Sequence, residues 1–374
     1  ITADKTSGVI RPNAKPLIIN GDMKVSQRAT SVAGSTTGGY VTVDRMDFLM
    51  SSIGTYTIAQ EALTSGNAFA DGFANAVRID TTTADASPAS SDYLMLRYKF
   101  EGQDLQSFKK GTASAEKYTL SFWVKSNKTG NAQVNLFDND TAGNRIVGAT
   151  YSISSADTWE QKVVNFPADT TGALDDDNGK SFLIEWFLDS GTNYSSGTAP
   201  AAWEAKDNTD RNASGALAIA DSDANDWAIT GVQLEVGEYT STTIPPFQHE
   251  SFGDNLARCQ RYYQKSFDIG TAPAQNVGIQ TGDLSFPSTK GASTASTLSQ
   301  KYNFPVRMRA SPAMTGYNSA ASNAEVRDVS ASADCSSTAF ASNKETGFYV
   351  TCTSSGTTSV GNYLSLHFTA AAEL

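Results

Sequence analysis

Tyr118-Thr119-Leu120-Ser121-Phe122-Trp123-Val124-Lys125 alternates side by side two kinds of residue. Tyr118, Leu120, Phe122 and Val124 share one face, and Thr119, Ser121, Trp123 and Lys125 the other, the period of two that a half-buried β-strand requires. The pattern recurs at Val77 and Ile79; at Leu94, Leu96, Tyr98 and Phe100; at Val134 and Leu136; at Phe182, Ile184, Trp186 and Leu188; and at Ala228, Thr230, Val232, Leu234 and Val236. Between these runs stand Asp138-Asn139-Asp140, Thr170-Thr171-Gly172, Asp177-Asn178-Gly179 and Ser190-Gly191, all good turn formers. Many short strands with turn punctuation and no alternating helices predict an all-β chain, a β-sandwich or jelly roll.

The pattern changes at both ends of this region. Residues 1–16, with Gly8, Pro12 and Pro16, show little apolar periodicity and are expected to form an extended arm, or a terminus without fixed structure. The main β domain is expected over 17–248, closing near Pro245-Pro246. Ser251 and Asp254 then offer capping oxygens, and Leu256, Cys259 and Tyr263 follow at helical spacing, predicting a helix over 252–264 within a linking segment 249–266. Alternation resumes at Tyr302, Phe304, Val306 and Met308, at Phe348, Val350 and Cys352, and at Leu364, Leu366 and Phe368, so a smaller C-terminal β-sandwich is expected over 267–374.

Composition excludes several classes of partner. The 374 residues carry 28 basic and 39 acidic side chains, a formal charge of −11, and only 18% are charged, whereas Ser and Thr make up roughly 22%. An acidic chain lacks the basic face that displaces counterions from a nucleic acid, and an anionic membrane surface is disfavoured for the same reason. No apolar run reaches the ~18 residues of a membrane-spanning helix.

Few residues carry chemistry. The three cysteines, Cys259, Cys335 and Cys352, permit one bridge at most; Cys335 and Cys352 could pair, but buried thiols packing as small hydrophobes are the preferred reading. His249 and His367 have no ligand-type neighbours at zinc spacing, and no Gly-x-Ser-x-Gly elbow surrounds any serine, so no catalytic residues are expected. Calcium is the one weakly indicated cofactor, with Asp221 and Asp223, Asp175 and Asp177, and Asp138 with Asp140 as oxygen donors on turns. The run from Asp221 fails as an EF-hand, since Asp226 stands where the sharp turn needs Gly and Val232 where the bidentate Glu belongs. Trp123, Trp159, Trp186 and Trp227 lie in strand-like segments and are expected in core or half-buried sheet positions. Trp203 lies instead in a polar stretch, and with Tyr194 and Asn193 it forms the candidate glycan-binding set, a ring folded onto the sandwich edge being the alternative.

Several motifs together resemble a family. Leu17-Ile18-Ile19-Asn20-Gly21-Asp22-Met23, followed by Val43-Asp44-Arg45-Met46, resembles the opening of a domain common in bacteriophage tail-fibre and other virion appendage proteins, with Met46 where Trp is usual. The resemblance continues through Leu96–Asp104, Leu120–Ser126, Trp227–Gly237, Pro246–Gly253 and Cys259–Tyr263, and Phe368–Leu374 looks like the usual end of such proteins. It implies an N-terminal jelly-roll β-sandwich similar to carbohydrate-binding modules, a linking helix and a smaller C-terminal β-sandwich, in a non-enzymatic virion protein. A homotrimer on the particle surface, presenting loops to host surface polysaccharide and docking to other virion proteins through residues 1–16, is the expected assembly. A purely structural capsid decoration and a polysaccharide depolymerase are the alternatives, though the repeated short strands of a β-helix are absent from the sequence. Glu235 is expected to face outward, toward Arg45 or Arg97.

Overall fold

The computed structural model describes residues 15–142, 144–279, 281–290 and 297–374. The expected arm at residues 1–16 therefore lies, except for Lys15 and Pro16, outside the described residues. The described residues divide into two units: residues 15–25, 31–255 and 374, and residues 26–30 with those from 256 to 373.

The first unit is a jelly-roll β-sandwich of two six-stranded antiparallel sheets. Its strands are β1 (Ser31–Ser35), β2 (Asp47–Ser51), β3 (Thr55–Ala62), β4 (Asn75–Thr83), β5 (Tyr93–Glu101), β6 (Tyr118–Ser126), β7 (Gly130–Asp138), β8 (Arg145–Ile153), β9 (Glu160–Phe166), β10 (Lys180–Ser190), β11 (Glu204–Ala205) and β12 (Asp226–Val236). One sheet runs β1-β3-β4-β12-β6-β9 and the other β11-β8-β7-β10-β5-β2. Leu120, Phe122 and Val124 of β6 meet Phe182, Ile184 and Trp186 of β10 in the core, and Phe122 stands edge-on to Trp186 at 5.8 Å. Each such side chain contributes about 1.5–3 kcal/mol on leaving water, so the alternation fixes which face of each strand turns inward.

β12 departs from simple alternation. Trp227 and Ile229 face the core, and so do Val232 and Leu234, because the pairing with β6 slips between Thr230 and Gln233. Gly231, at φ +61°, absorbs the extra residue. The expected single face from Ala228 to Val236 is corrected accordingly: Ala228 and Thr230 lie on the opposite side from Val232.

The second unit is a smaller sandwich. β13 (Tyr263–Lys265), β14 (Leu284–Pro287), β16 (Ala313–Tyr317), β17 (Arg327–Asp328) and β18 (Ala333–Asp334) gather around β21 (Tyr363–Ala371), and β15 (Thr297–Asn303), β20 (Gly347–Thr353) and β19 (Ser336–Lys344) form a three-stranded sheet. Its core holds Phe348, Val350, Leu364, Leu366 and Phe368, with the thiols of Cys335 and Cys352 buried among them.

The helix spans Phe252–Gln260, capped by Ser251, whose hydroxyl accepts the Asp254 N–H at 3.2 Å. It stops short of the expected residue 264 because Tyr263 opens β13, paired with Ala371. Two single-turn helices, α1 (Asn67–Ala70) and α2 (Thr192–Ser195), are too short to show periodicity in sequence.

Candidate functional site

The residues expected to bind glycan do not form one surface. Trp203 donates its indole N–H to the Pro167 carbonyl at 2.9 Å, lies 5.9 Å from Phe182, and has the Lys110 ammonium 5.1 Å from its ring centroid. Its ring is thus folded onto the sandwich edge. Tyr194 packs instead on the outer face of β10, 6.1 Å from Phe187 and 5.4 Å from Tyr93, while Asn193 is exposed at the start of α2.

The acidic turns weighed as calcium donors are occupied by their own neighbours. Among the described residues no group of three or more His, Cys, Asp or Glu side chains is placed to hold a metal ion. Asp221 pairs with Lys128 and accepts from the Asn225 amide, Asp177 closes a turn by accepting the Gly179 N–H, Asp175 donates its backbone N–H to Asp140, and Asp223 is exposed. The acidic turns cap their own backbone, as Asx turns do.

The two histidines occupy different settings. His367 is buried, stacked on Phe267 at 4.2 Å, with Nδ1 2.9 Å from the Ser266 hydroxyl and Nε2 2.9 Å from the Thr281 hydroxyl. At Nδ1, where a catalytic triad would place a carboxylate, stands the Ser266 hydroxyl. Burial holds the imidazole below its usual pKa, against the opposing pull of Asp283. A lowered histidine pKa means that, as pH falls below about 6.5, the unfolded chain takes up a proton that the folded one refuses. The second unit is therefore expected to melt at lower temperature at pH 5.5 than at pH 7.5, and His367→Gln to flatten that dependence; thermal unfolding at the two pH values checks it.

A groove on the outer face of the first sheet brings together residues that the alternation had pointed outward. Trp123 and Ser121 of β6 lie beside Gln161 of β9 and Gln233 of β12 around a cavity of about 400 Å³, within the range of small-ligand sites. Asp71, just past α1, accepts the Trp123 indole N–H at 3.2 Å and anchors the half-buried ring. Gln233 donates to Glu235 and to the Pro245 carbonyl, each at 3.0 Å, and Gln161 to Ser121 at 3.4 Å. Glu235 thus partners Gln233, while Arg97 pairs with Glu185 and Arg45 donates to the Lys99 carbonyl; neither arginine meets Glu235 as expected.

Phe73, Phe247 and His249 close one end of the groove, Phe73 lying 4.9 Å from Phe247 and 5.2 Å from His249. Across α1, on the same sheet face, a second cavity of about 270 Å³ is lined by Glu61, Asn67, Lys125, Asp157 and Trp159. Lys125 follows Trp123 by two positions on β6. An apolar ring flanked by amides, a hydroxyl and a carboxylate suits a ligand with one flat apolar face and a rim of hydroxyls. Sequence pointed Trp123 to the outer face, and only the expectation that strand tryptophans are covered concealed it.

No protein-family model and no curated protein sequence matches this chain. Its fold is similar to solved structures at low identity. A putative sugar-binding protein from Bacteroides thetaiotaomicron matches at 14% identity and a TM-score of 0.33, over 59% of this chain and 100% of that one. A family 11 carbohydrate-binding module from Clostridium thermocellum matches at 11% and 0.28, over 56% and 98%. The enzymatically active domain of bacteriophage CBA120 tailspike protein 4 matches at 9% and 0.30, over 59% of this chain, which spans only 21% of that structure.

Proposed function

We propose that this chain is a non-enzymatic appendage protein of a bacteriophage particle whose first unit binds a host surface glycan in the Trp123 groove. The half-buried indole that lines the cavity with Ser121, Gln161, Gln233 and Asp71 carries the proposal. A pyranose ring stacks on the indole while the amides and carboxylate take its hydroxyls. Binding is favoured over hydrolysis because Asp71 is the one carboxylate among the described residues lining the cavity, and glycoside hydrolysis requires a pair. The second cavity beyond α1 suits a chain of more than one sugar. The motif series from Leu17 to Tyr263 supports the particle setting, and a homotrimer multiplies a weak single-site affinity.

A glycan array read with multivalent protein tests this. Trp123→Ala is expected to weaken binding to the recognised glycan by at least about thirtyfold, the effect of losing a central aromatic anchor of about 2 kcal/mol. Its thermal unfolding is expected to fall by less than that of a core tryptophan variant, because the side chain is only partly buried, packed on one side against the cluster of Leu63, Phe73 and Trp159. No bound glycan, or equal binding by the variant, overturns the proposal.

A further inference from the structure

The outer face of the second sheet gathers five cations, of which two have no acidic partner among the described residues. Arg97 of β5 stands in register with Glu185 of β10 and Asp47 of β2. Glu185 serves two guanidiniums at once, Arg97 at 3.1 Å and Arg211 at 3.0 Å, and Asp47 pairs with Lys99 at 2.9 Å. Lys180 opens β10 opposite Glu101, whose carboxylate accepts from Gln103, and Lys206 lies over the Phe137 ring. Among the described residues neither Lys180 nor Lys206 has a carboxylate within ion-pair distance, although both are half-buried. The acids nearest Lys206 in sequence are directed elsewhere: Asp207 accepts from Thr209, Asp210 from the Thr198 N–H, and Glu204 is exposed on β11.

We infer that Lys180 and Lys206, with the acid-paired Arg97 and Lys99 on β5 next to the Lys180 strand, form an anion-binding patch for an acidic polysaccharide, holding its carboxylate, sulfate or phosphate substituents. Burial and the facing charges of Lys99 and Arg97 hold the Lys180 ammonium below the usual lysine range, and burial with Arg211 does the same to Lys206. Cations that repel one another in this way gain most from a shared anion, since each added negative charge relieves several contacts. The patch lies on the sheet opposite the Trp123 groove, so it stands apart from the glycan proposed there. A polymer is favoured over a free anion because the cations span neighbouring strands.

Affinity of the whole chain for polygalacturonate and for dextran sulfate, measured at about 20 mM ionic strength where screening is weak, tests the inference. Neutral dextran and inorganic phosphate serve as competitors. At least one polyanion is expected to bind, to resist neutral dextran, and to lose about tenfold in affinity in the Lys180→Gln, Lys206→Gln double variant. The Lys180→Arg, Lys206→Arg variant is expected to keep binding, and Trp123→Ala to leave it unchanged, which separates this site from the groove. Carboxylate and sulfate recognition are told apart by which polymer binds. Overturning results are no binding of either polymer above neutral dextran, complete displacement by inorganic phosphate at equal charge concentration, or equal affinity in the glutamine variant.

Discussion

Lys110→Met is expected to lower the unfolding free energy of the first unit by about 3–5 kcal/mol at pH 7, the loss that follows when one partner leaves a buried ion pair. The Lys110 ammonium is fully buried and meets Asp138 and, at 2.9 Å, Asp169. The carbonyls of Gly172 at 2.8 Å and Thr171 at 3.3 Å complete an oxygen cage around it. Methionine fills a similar volume but leaves the two carboxylates without that charge. Asp138 keeps the N–H groups of Asp140 and Thr141, and Asp169 keeps Arg145 at 2.8 and 3.0 Å, so the network is strained but not emptied.

The pH dependence gives that prediction a second edge. Burial by itself raises the Asp169 pKa, yet Arg145 and Lys110 hold it below the usual carboxylate range. A lowered carboxylate contributes stability above the unfolded pKa and loses it as pH falls through the folded value. In Lys110→Met one of the groups that offset the burial is gone, the carboxyl pKa rises above that of the parent, and the folded variant takes up a proton before the folded parent does. The deficit relative to the parent is therefore expected to shrink between pH 7 and about pH 4.5. Urea unfolding at both values measures it. A loss under about 1 kcal/mol, the worth of a surface pair, or a deficit that does not shrink in acid, contradicts the buried network.

Lys110 also shows why the acidic turns misled. Asp138-Asn139-Asp140 reads as a source of hard oxygen ligands, and oxygens do surround a cation there. The cation is an ammonium from a residue 28 positions away in sequence, a pairing that no local pattern announces. Strand alternation, by contrast, was legible because burial on one face acts on every second residue. It placed Trp123, Ser121 and Lys125 on the outer face, where the groove is found. It failed at β12, where Gly231 slips the register by a residue, and it could not see that the tail of Trp203 finds a carbonyl at the sandwich edge. The face of Gln161 and Gln233 toward Trp123 depends on which strands neighbour β6, a property of topology that sequence periodicity does not contain.

Gly231→Ala is expected to cost about 2–4 kcal/mol in unfolding free energy and to weaken glycan binding in the same protein. Two physical terms add. At φ +61° any L side chain is strained by roughly 1–2 kcal/mol, and a Cβ built there lies 2.7 Å from the Phe73 Cζ and 3.0 Å from the neighbouring ring carbons, an overpacking that costs about 1–3 kcal/mol. Phe73 has little room to retreat, being 1% exposed and packed with Leu63, Ala76, Trp159 and Ala228. Gly215→Ala supplies the comparison: its φ is +74°, but nothing lies within 4 Å, so only the backbone term of about 1 kcal/mol is expected. The difference between the two substitutions isolates the ring contact. Adding Phe73→Leu to Gly231→Ala is expected to recover part of that difference, a positive coupling of about 1 kcal/mol in a double-mutant cycle. Phe73 borders the groove, so the displaced ring is expected to carry Phe247 and His249 with it and to lower affinity even where the fold survives. If Gly231→Ala costs no more than Gly215→Ala, and Phe73→Leu adds its own loss without coupling, then the bulge in β12 does not seat the ring that closes the groove, and the groove's end wall must be held by another contact.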